Sequence, residues 1–557
     1  MKMELPMRFS IPVALASLGI LAAPASAQQL TPAEITRVDS VFAGLTSTAA
    51  PGCALGISRD GRLVYARGYG MANLETGTAI TPASIFHVAS ISKQFAAFAV
   101  ALLAEDGKLS LDDDIRKHVP EIPAYARPIT IRHLIHHTSG LRDQWSLLGM
   151  ADWRDDDLIT EDDVLSIVSR QKELNFLPGD EYTYSNTGYT LLAVIVKRVS
   201  GKSLRQFADE RIFQPLGMNS THFHDDHTMV VPGRTSAYNP RPGGGWMVSI
   251  PVFDTYGATS LFTTVEDLLK WEQNFVEPKV GSRALIEKAQ QPTTLTTGRK
   301  LDYGYGLSIE DYRGQPAVGH GGADAGYRSD VIRFPQAGLA IDVLCNAANS
   351  GPNDLSRKVA DILLEKQLKP APAQAAADTS QPVSAHLQSR ITGVYLRRGV
   401  DEVFEVGAKD GKLMLLPWQL PIRHVVADTF ATTVFPVTFV TEGPPGPAAV
   451  LKIKIATEPE GLYDRVVGVK PTRTELDAFT GTYYSEELDV RYRIERKDSV
   501  LAVTMRRRGS MNLQPAFADG FTSPDIGTLR FIREKGKVTG FRVTSGRVRN
   551  VVFRKAP

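Results

Sequence analysis

Ser90-Ile91-Ser92-Lys93-Gln94-Phe95-Ala96-Ala97-Phe98-Ala99-Val100-Ala101-Leu102-Leu103 combines a reactive pair with a structural signal. The Ala-rich apolar run after Lys93 suits a helix buried on all sides. If Ser90 opens that helix, Lys93 lies one turn on and on the same face, within reach of the serine oxygen. A serine hydroxyl is barely ionised at neutral pH and needs a base. Helix burial and nearby cations would lower the proton affinity of Lys93, so that its neutral amine could act as that base. The dipole at the helix start favours a developing oxyanion. The plainer reading makes Ser90 an N-cap and Lys93 a solvated first-turn residue.

Two further strings follow in order. Tyr184-Ser185-Asn186 comes after the turn signal Leu177-Pro178-Gly179-Asp180 and before the apolar run Leu191–Val196, at a loop entering a helix. A tyrosine beside a lysine can relay protons, and Asn186 can hydrogen-bond a substrate amide. The alternative is a partly buried Tyr with a capping Asn. His320-Gly321-Gly322-Ala323 ends the strand-like run Pro316–Gly319. Its glycines would let a ligand approach the backbone, and the N–H of Ala323 could join that of Ser90 as an oxyanion hole. Alone, the string also reads as a flexible turn.

The 557 residues have ordinary globular composition, enough for two or three domains, and the net charge of +2 gives no reason to expect nucleic acid. Lys2, Arg8, the apolar run Ile11–Ala23 and Ala25-Ser26-Ala27 read as a secretory signal over residues 1–27, with Gln28 the mature start. The apolar run falls short of the ~20 residues that span a bilayer, so no membrane anchor is expected in the mature form. A periplasmic or secreted location follows. Cys53 opens one strand-like run and Cys345 ends another. Buried free thiols are the simpler reading, with a bridge open if the two strands are neighbours.

Strand character over Cys53–Gly70, around the Arg59-Asp60-Gly61 turn, returns at Tyr303–Glu310, Gln315–His320 and Ser329–Asn346. Helical sequence lies between, and a last helix covers Asn353–Gln367. This predicts an α+β domain over residues 28–368, its sheet closed by distant parts of the chain. Residues 369–383 form a Pro/Ala-rich linker. Beyond it strands repeat: Ile391–Tyr395 matches Phe479–Tyr483, Phe404–Val406 matches Tyr492–Ile494, and Lys409–Leu413 matches Lys497–Leu501, each offset by 88 residues. Two antiparallel β-barrel-like units are expected, over 384–471 and 472–557. They carry no visible catalytic set, and would be structural or would shape the mouth of the site.

Taken together, S-x-x-K, Y-x-N and H-x-G resemble the serine β-lactamase and penicillin-binding protein family, nearest its class C branch. The likeness covers about residues 35–367 and extends to Leu134–Leu141, Pro178-Gly179, Pro215–Met218 and Thr263–Asp267. It implies Ser90 as acylated nucleophile, Lys93 as base, Tyr184 as proton relay and Asn186, Gly322 and Ala323 as substrate contacts, with no metal or cofactor. The family's third motif is usually K-T-G, whose lysine helps bind a carboxylate. Here His320 stands there, and a neutral imidazole anchors a carboxylate less well.

H-x-G looks like the variant in D-aminopeptidases, D-amino-acid amidases, peptidases of unusual small peptides such as linearised microcystin, and esterases. Two barrel-like domains after the catalytic one also resemble D-aminopeptidase relatives. The expected substrate is therefore a small peptide beside a D-residue. An esterase, a true β-lactamase and a slowly acylated penicillin-binding sensor are the rivals, and the oligomeric state is open. His222-Phe-His224-Asp225-Asp226-His227 matches no common zinc spacing. No G-x-S-x-G elbow occurs.

Overall fold

The computed structural model describes residues 29–370 and 383–556, apart from 410–411, 417–418, 427–428, 433–436, 443–445 and 456–459. The expected leader and most of the linker lie outside the described residues. The parts that position the site are, in chain order, α1 (Pro32–Val41), β1 (Cys53–Arg59), β2 (Arg62–Tyr69), α2 (Ser92–Glu105), α3 (Gln144–Met150), α4 (Asn186–Ser200) and α5 (Val265–Val276). After them come β3 (Ser308–Tyr312), β4 (Gln315–Asp324), β5 (Tyr327–Phe334), β6 (Leu339–Cys345) and α6 (Pro352–Leu363).

These strands form one antiparallel sheet in the order β3-β4-β5-β6-β1-β2, so N-terminal strands complete a sheet made mostly from the C-terminal end of the domain. β1 lies inside the sheet, between β6 and β2, and its two faces alternate. Cys53, Leu55 and Ile57 pack towards α1 and α6, while Ala54 joins the larger helical core. Gly56 lies against α5, where a Cβ would come within 3.0 Å of both Val265 and Leu269. The sheet is thus covered on both sides.

The sequence reading misses some boundaries. The expected run Ser329–Asn346 is two strands, parted by a turn through Pro335 and the left-handed Gly338. β4 continues through His320 to Asp324, so the His-Gly-Gly string is mid-strand. The cysteines differ as well. Cys53 and Cys345 are direct partners across β1 and β6 and form a disulfide, which the sheet register makes possible and which only long-range pairing reveals.

Strands Gly393–Arg397 to Gly461–Val466 close one eight-stranded barrel, and Gly481–Ser485 to Val548–Lys555 close another. The 88-residue repeat has a structural counterpart. The Tyr395 hydroxyl donates to the Ile391 carbonyl at 2.9 Å, and the Tyr483 hydroxyl to the Phe479 carbonyl at 2.7 Å. The second barrel is pinned to the helical region by Arg142, which is buried and pairs with buried Glu487 at 2.7 Å while donating to the Arg549 carbonyl at 3.0 Å. The Tyr492 hydroxyl adds a 2.7 Å bond to the Met150 carbonyl at the end of α3. The first barrel packs on the second through Val403, Ala516 and Phe517.

A non-reduced digest should yield one linked peptide pair containing Cys53 and Cys345. Replacing both by Ala should cost about 2–5 kcal/mol, read as a lower Tm by scanning calorimetry. Two titratable thiols in the unfolded, unreduced chain would show that no bridge forms.

Candidate active site

Ser90 stands in a 3-10 turn, Ala89–Ile91, that runs into α2. No side-chain cap bond is made at the start of either element, which removes the N-cap reading of Ser90. Ala89 takes φ +49°, a left-handed conformation that costs an alanine about 1 kcal/mol or more. β4 crosses this turn so closely that a Cβ on Gly322 would lie 2.3 Å from the Val88 carbonyl oxygen. The same Cβ would be 2.3 Å from the Ser329 hydroxyl. Gly322 therefore meets a need of the protein's own packing, whereas the sequence reading gave that space to a ligand. The Ser329 hydroxyl fastens the contact, donating to the Val88 carbonyl at 2.9 Å.

Lys93 is fully buried, with its Nζ 3.1 Å from Ser90 Oγ. Nζ also donates to Asn186 Oδ1 at 2.9 Å and to the Ala258 carbonyl at 2.6 Å. Burial foremost, and then the nearby Arg547 guanidinium, push its proton affinity well below that of an ordinary lysine, against the opposing pull of Asp143 and Asp324. A neutral amine has two N–H groups and one lone pair. With the two carbonyl oxygens taking the N–H groups, the lone pair is directed at Ser90. The lysine also lies 4.8 Å from the centre of the Tyr184 ring and 5.6 Å from that of Tyr189.

Asn186 lines the cleft and has a further role there. Its side-chain N–H donates to Asp143 Oδ2 at 2.8 Å, and so does its backbone N–H, also at 2.8 Å. The amide is thereby oriented with its oxygen on Lys93. Its first task is to hold the lysine, and only its remaining valences face the cleft. Asp143 itself caps α3 through its other oxygen, which accepts from Trp145 N at 3.1 Å and Ser146 N at 3.4 Å. Asp143 was missed in the sequence. Its only local signal is a capping Asp two residues after the Leu134–Leu141 string.

His320 is likewise committed to the protein. Ser185 N–H donates to His137 Nδ1 at 3.1 Å, so His137 carries its proton on Nε2, which lies 3.2 Å from the Tyr303 hydroxyl. Tyr303 then donates to His320 Nε2 at 3.1 Å, and His320 Nδ1–H donates to the Gly321 carbonyl at 2.6 Å. Burial, reinforced by Lys93, pushes His320 down to about 4, and burial holds His137 well below the ordinary imidazole range. Both rings are neutral at pH 7. His137 also lies against Tyr184, ring centres 4.2 Å apart.

These groups line a cleft of about 1620 Å³. Ser90, Tyr184, Asn186, His320, Gly322 and Ala323 share it with Trp145, Trp153 and Phe253, so all the sequence-derived candidates except fully buried Lys93 open onto one space. Arg507, Arg508 and Arg547 of the second barrel form part of its wall, and no residue of the first barrel lines it among the described residues. The His222–His227 run divides between two places, and its exposed Asp226 and His227 gather with Asp254, one ligand atom from each lying within 4.8 Å of the others. His222 and His224 lie 3.3 Å apart against Phe262, while His227 turns to exposed positions and pairs with Asp254 at 3.1 Å.

The family described as Beta-lactamase matches residues 38–366, well over half of the chain, and the chain belongs to that family. It is a hydrolase of the serine β-lactamase-like superfamily. It is 25% identical to a D-aminopeptidase of Gluconobacter oxydans over 91% of this chain and 96% of that one. It is 28% identical to the D-aminopeptidase of Brucella anthropi, of which it spans 59%. The penicillin-binding protein homologue of Pyrococcus abyssi, described as octameric, superposes with TM-score 0.57 at 24% identity, covering 77% of this chain and all of that one. The D-amino acid amidase of Ochrobactrum anthropi does so with TM-score 0.51 at 21% identity, over 60% of this chain.

If Lys93 is the base, kcat/KM must rise as pH climbs through its lowered pKa, because only the neutral amine accepts a proton. The ascending limb should therefore finish well below the ordinary lysine range, and a limb centred near 10 would contradict the burial argument. Asn186→Ala should cut kcat about 10²-fold or more with a smaller change in KM, since it frees the amine from its fixed bearing. A loss confined to KM would return Asn186 to substrate binding alone.

Proposed function

We propose that the chain is a periplasmic or secreted peptidase that cleaves small peptides next to a D-residue through an acyl-serine intermediate. The observation that carries this reading is the approach of Lys93 Nζ to Ser90 Oγ at 3.1 Å, with its other two tetrahedral directions held by Asn186 and Ala258. In the acylation step Ser90 Oγ bonds to the scissile carbonyl carbon as its proton passes to Lys93. The backbone N–H groups of Ser90 and Ala323 stabilise the oxyanion. The C–N bond then breaks as the leaving nitrogen takes a proton by way of Lys93 and Tyr184. Water, deprotonated by the same pair, cleaves the ester and restores Ser90.

The cleft is larger than the ~300–1,000 Å³ typical of small-ligand pockets, which favours a peptide of several residues over a single amino-acid amide. Preference for a D-residue is supported by the D-aminopeptidase relative, which aligns along nearly its whole length. Export is supported by the leader-like N-terminus and by the Cys53–Cys345 bridge, which suits an oxidising compartment. Buried, neutral His320 supports demotion of a true β-lactamase.

The test is a panel of D- and L-residue peptides, their amides, simple esters and nitrocefin, run against the wild type and Ser90→Ala. Peptides with a D-residue beside the scissile bond should be cleaved fastest, and Ser90→Ala should lose about 10³-fold or more. Activity retained in Ser90→Ala would overturn the mechanism. Turnover of esters or nitrocefin with no peptide cleaved would replace the peptidase reading by an esterase or a β-lactamase.

A further inference from the structure

We propose that Arg547, on the second barrel, is a specificity-determining residue that binds a carboxylate of the peptide substrate. The inference rests on the peptidase reading above and names the substrate class. Arg547 follows Gly546 in the turn between strands Lys537–Ser545 and Val548–Lys555, and its guanidinium lies 4.6 Å from the centre of the Tyr184 ring. It lines the same cleft as Ser90 and His320, and the residue is exposed.

The turn is held from both sides. The Arg547 carbonyl accepts from Asn175 Nδ2 at 2.8 Å, and Arg549 N donates to Asn175 Oδ1 at 2.8 Å. Arg549 pairs with Glu181 at 3.0 Å, and buried Arg142 reaches the carbonyls of Arg549 and Asn550 at 3.0 and 3.3 Å. The backbone of Arg547 is therefore fixed, and its side chain is delivered to Tyr184 by the docking of the barrel.

The charges around the cleft single this residue out. Arg154 pairs with Asp156, Arg507 with Asp157, and Arg357 with Glu310 and Asp330. Arg328 donates to the carbonyls of Ala325 and Tyr327, and Arg508 to that of Gly149. Among the described residues, the Arg547 guanidinium has no carboxylate within ion-pair distance and no hydrogen bond to a protein oxygen. It has five N–H donors in a planar fork, a geometry that matches a carboxylate. His320 cannot take that role, because it is neutral and both of its ring nitrogens are occupied. The positive charge that the third motif lacks comes from the second barrel, across the domain boundary.

A substrate carboxylate can be a C-terminus or an acidic side chain, and matched peptides separate the two. The set holds one scissile bond constant and varies a free against an amidated C-terminus, and Glu against Gln at each flanking position. The readout is the ratio of kcat/KM for each carboxylate peptide to its neutral partner, in the wild type, Arg547→Gln and Arg547→Lys. The expected result is a wild-type ratio of about tenfold or more for one member of the set, falling to near unity in Arg547→Gln and partly kept in Arg547→Lys. A ratio within twofold of wild type in Arg547→Gln overturns the proposal, including when all rates fall together. If the wild type cleaves no peptide at all, the peptidase reading fails on its own, and ester pairs with and without a carboxylate still test Arg547.

Discussion

A lysine amine with no exposure to solvent governs the arrangement of the rest of the site. An ammonium taken out of water costs several kcal/mol unless its surroundings compensate it, and the neutral amine avoids most of that cost. Either form needs its N–H groups accepted at fixed points. Lys93 has such points in the Ala258 carbonyl and Asn186, and Asn186 is held in turn by Asp143 at the start of α3. Packing and chemistry therefore coincide. The helix that buries Lys93 is apolar on every side because it lies inside the core, and that burial shifts the lysine towards its basic form.

The close pass of β4 over the turn before α2 is the second constraint. It brings the carbonyl of Val88 to where a side chain on Gly322 would stand, and it sets the strand beside Ser90. In the same region Ser185, His137, Tyr303 and His320 form an ordered run of donors and acceptors that ends on the Gly321 carbonyl. Such a chain fixes ring orientation, and its members have little capacity left to bind an anion. The charge balance of the cleft consequently depends on a different part of the molecule. The second barrel, docked by the buried Arg142–Glu487 pair, supplies arginines to the cleft wall, and one of them lies over Tyr184.

Much of this was legible in the chain. The spacing of Ser90 and Lys93 is a local property of a helix start, so the contact between them follows from three residues of separation. The 88-residue repeat is visible because each barrel must rebuild the same pattern of strands. The α+β layout followed from strand-like runs at both ends of one segment. Apart from strand boundaries, what the local sequence did not reveal involves partners far apart in the chain. Cys53 and Cys345 are bridged, Asn186 also serves Lys93, Gly322 makes room for backbone, Asp143 showed only as a capping residue, and Arg547 carried no local mark of its part in the site.

The sequence by itself carried the resemblance to the family in its three motifs, and it determined the candidate nucleophile and its lysine, the buried helix and the paired barrels, because these depend on periodicity or on short spacing. Tertiary structure alone decided which groups are charged, which are already occupied, and that a turn of the last barrel reaches the cleft. The physical reason is that proton affinity depends on burial and on neighbouring charges. In this molecule those neighbours come from segments up to several hundred residues away, and only the folded chain brings them to the cleft that Ser90 lines.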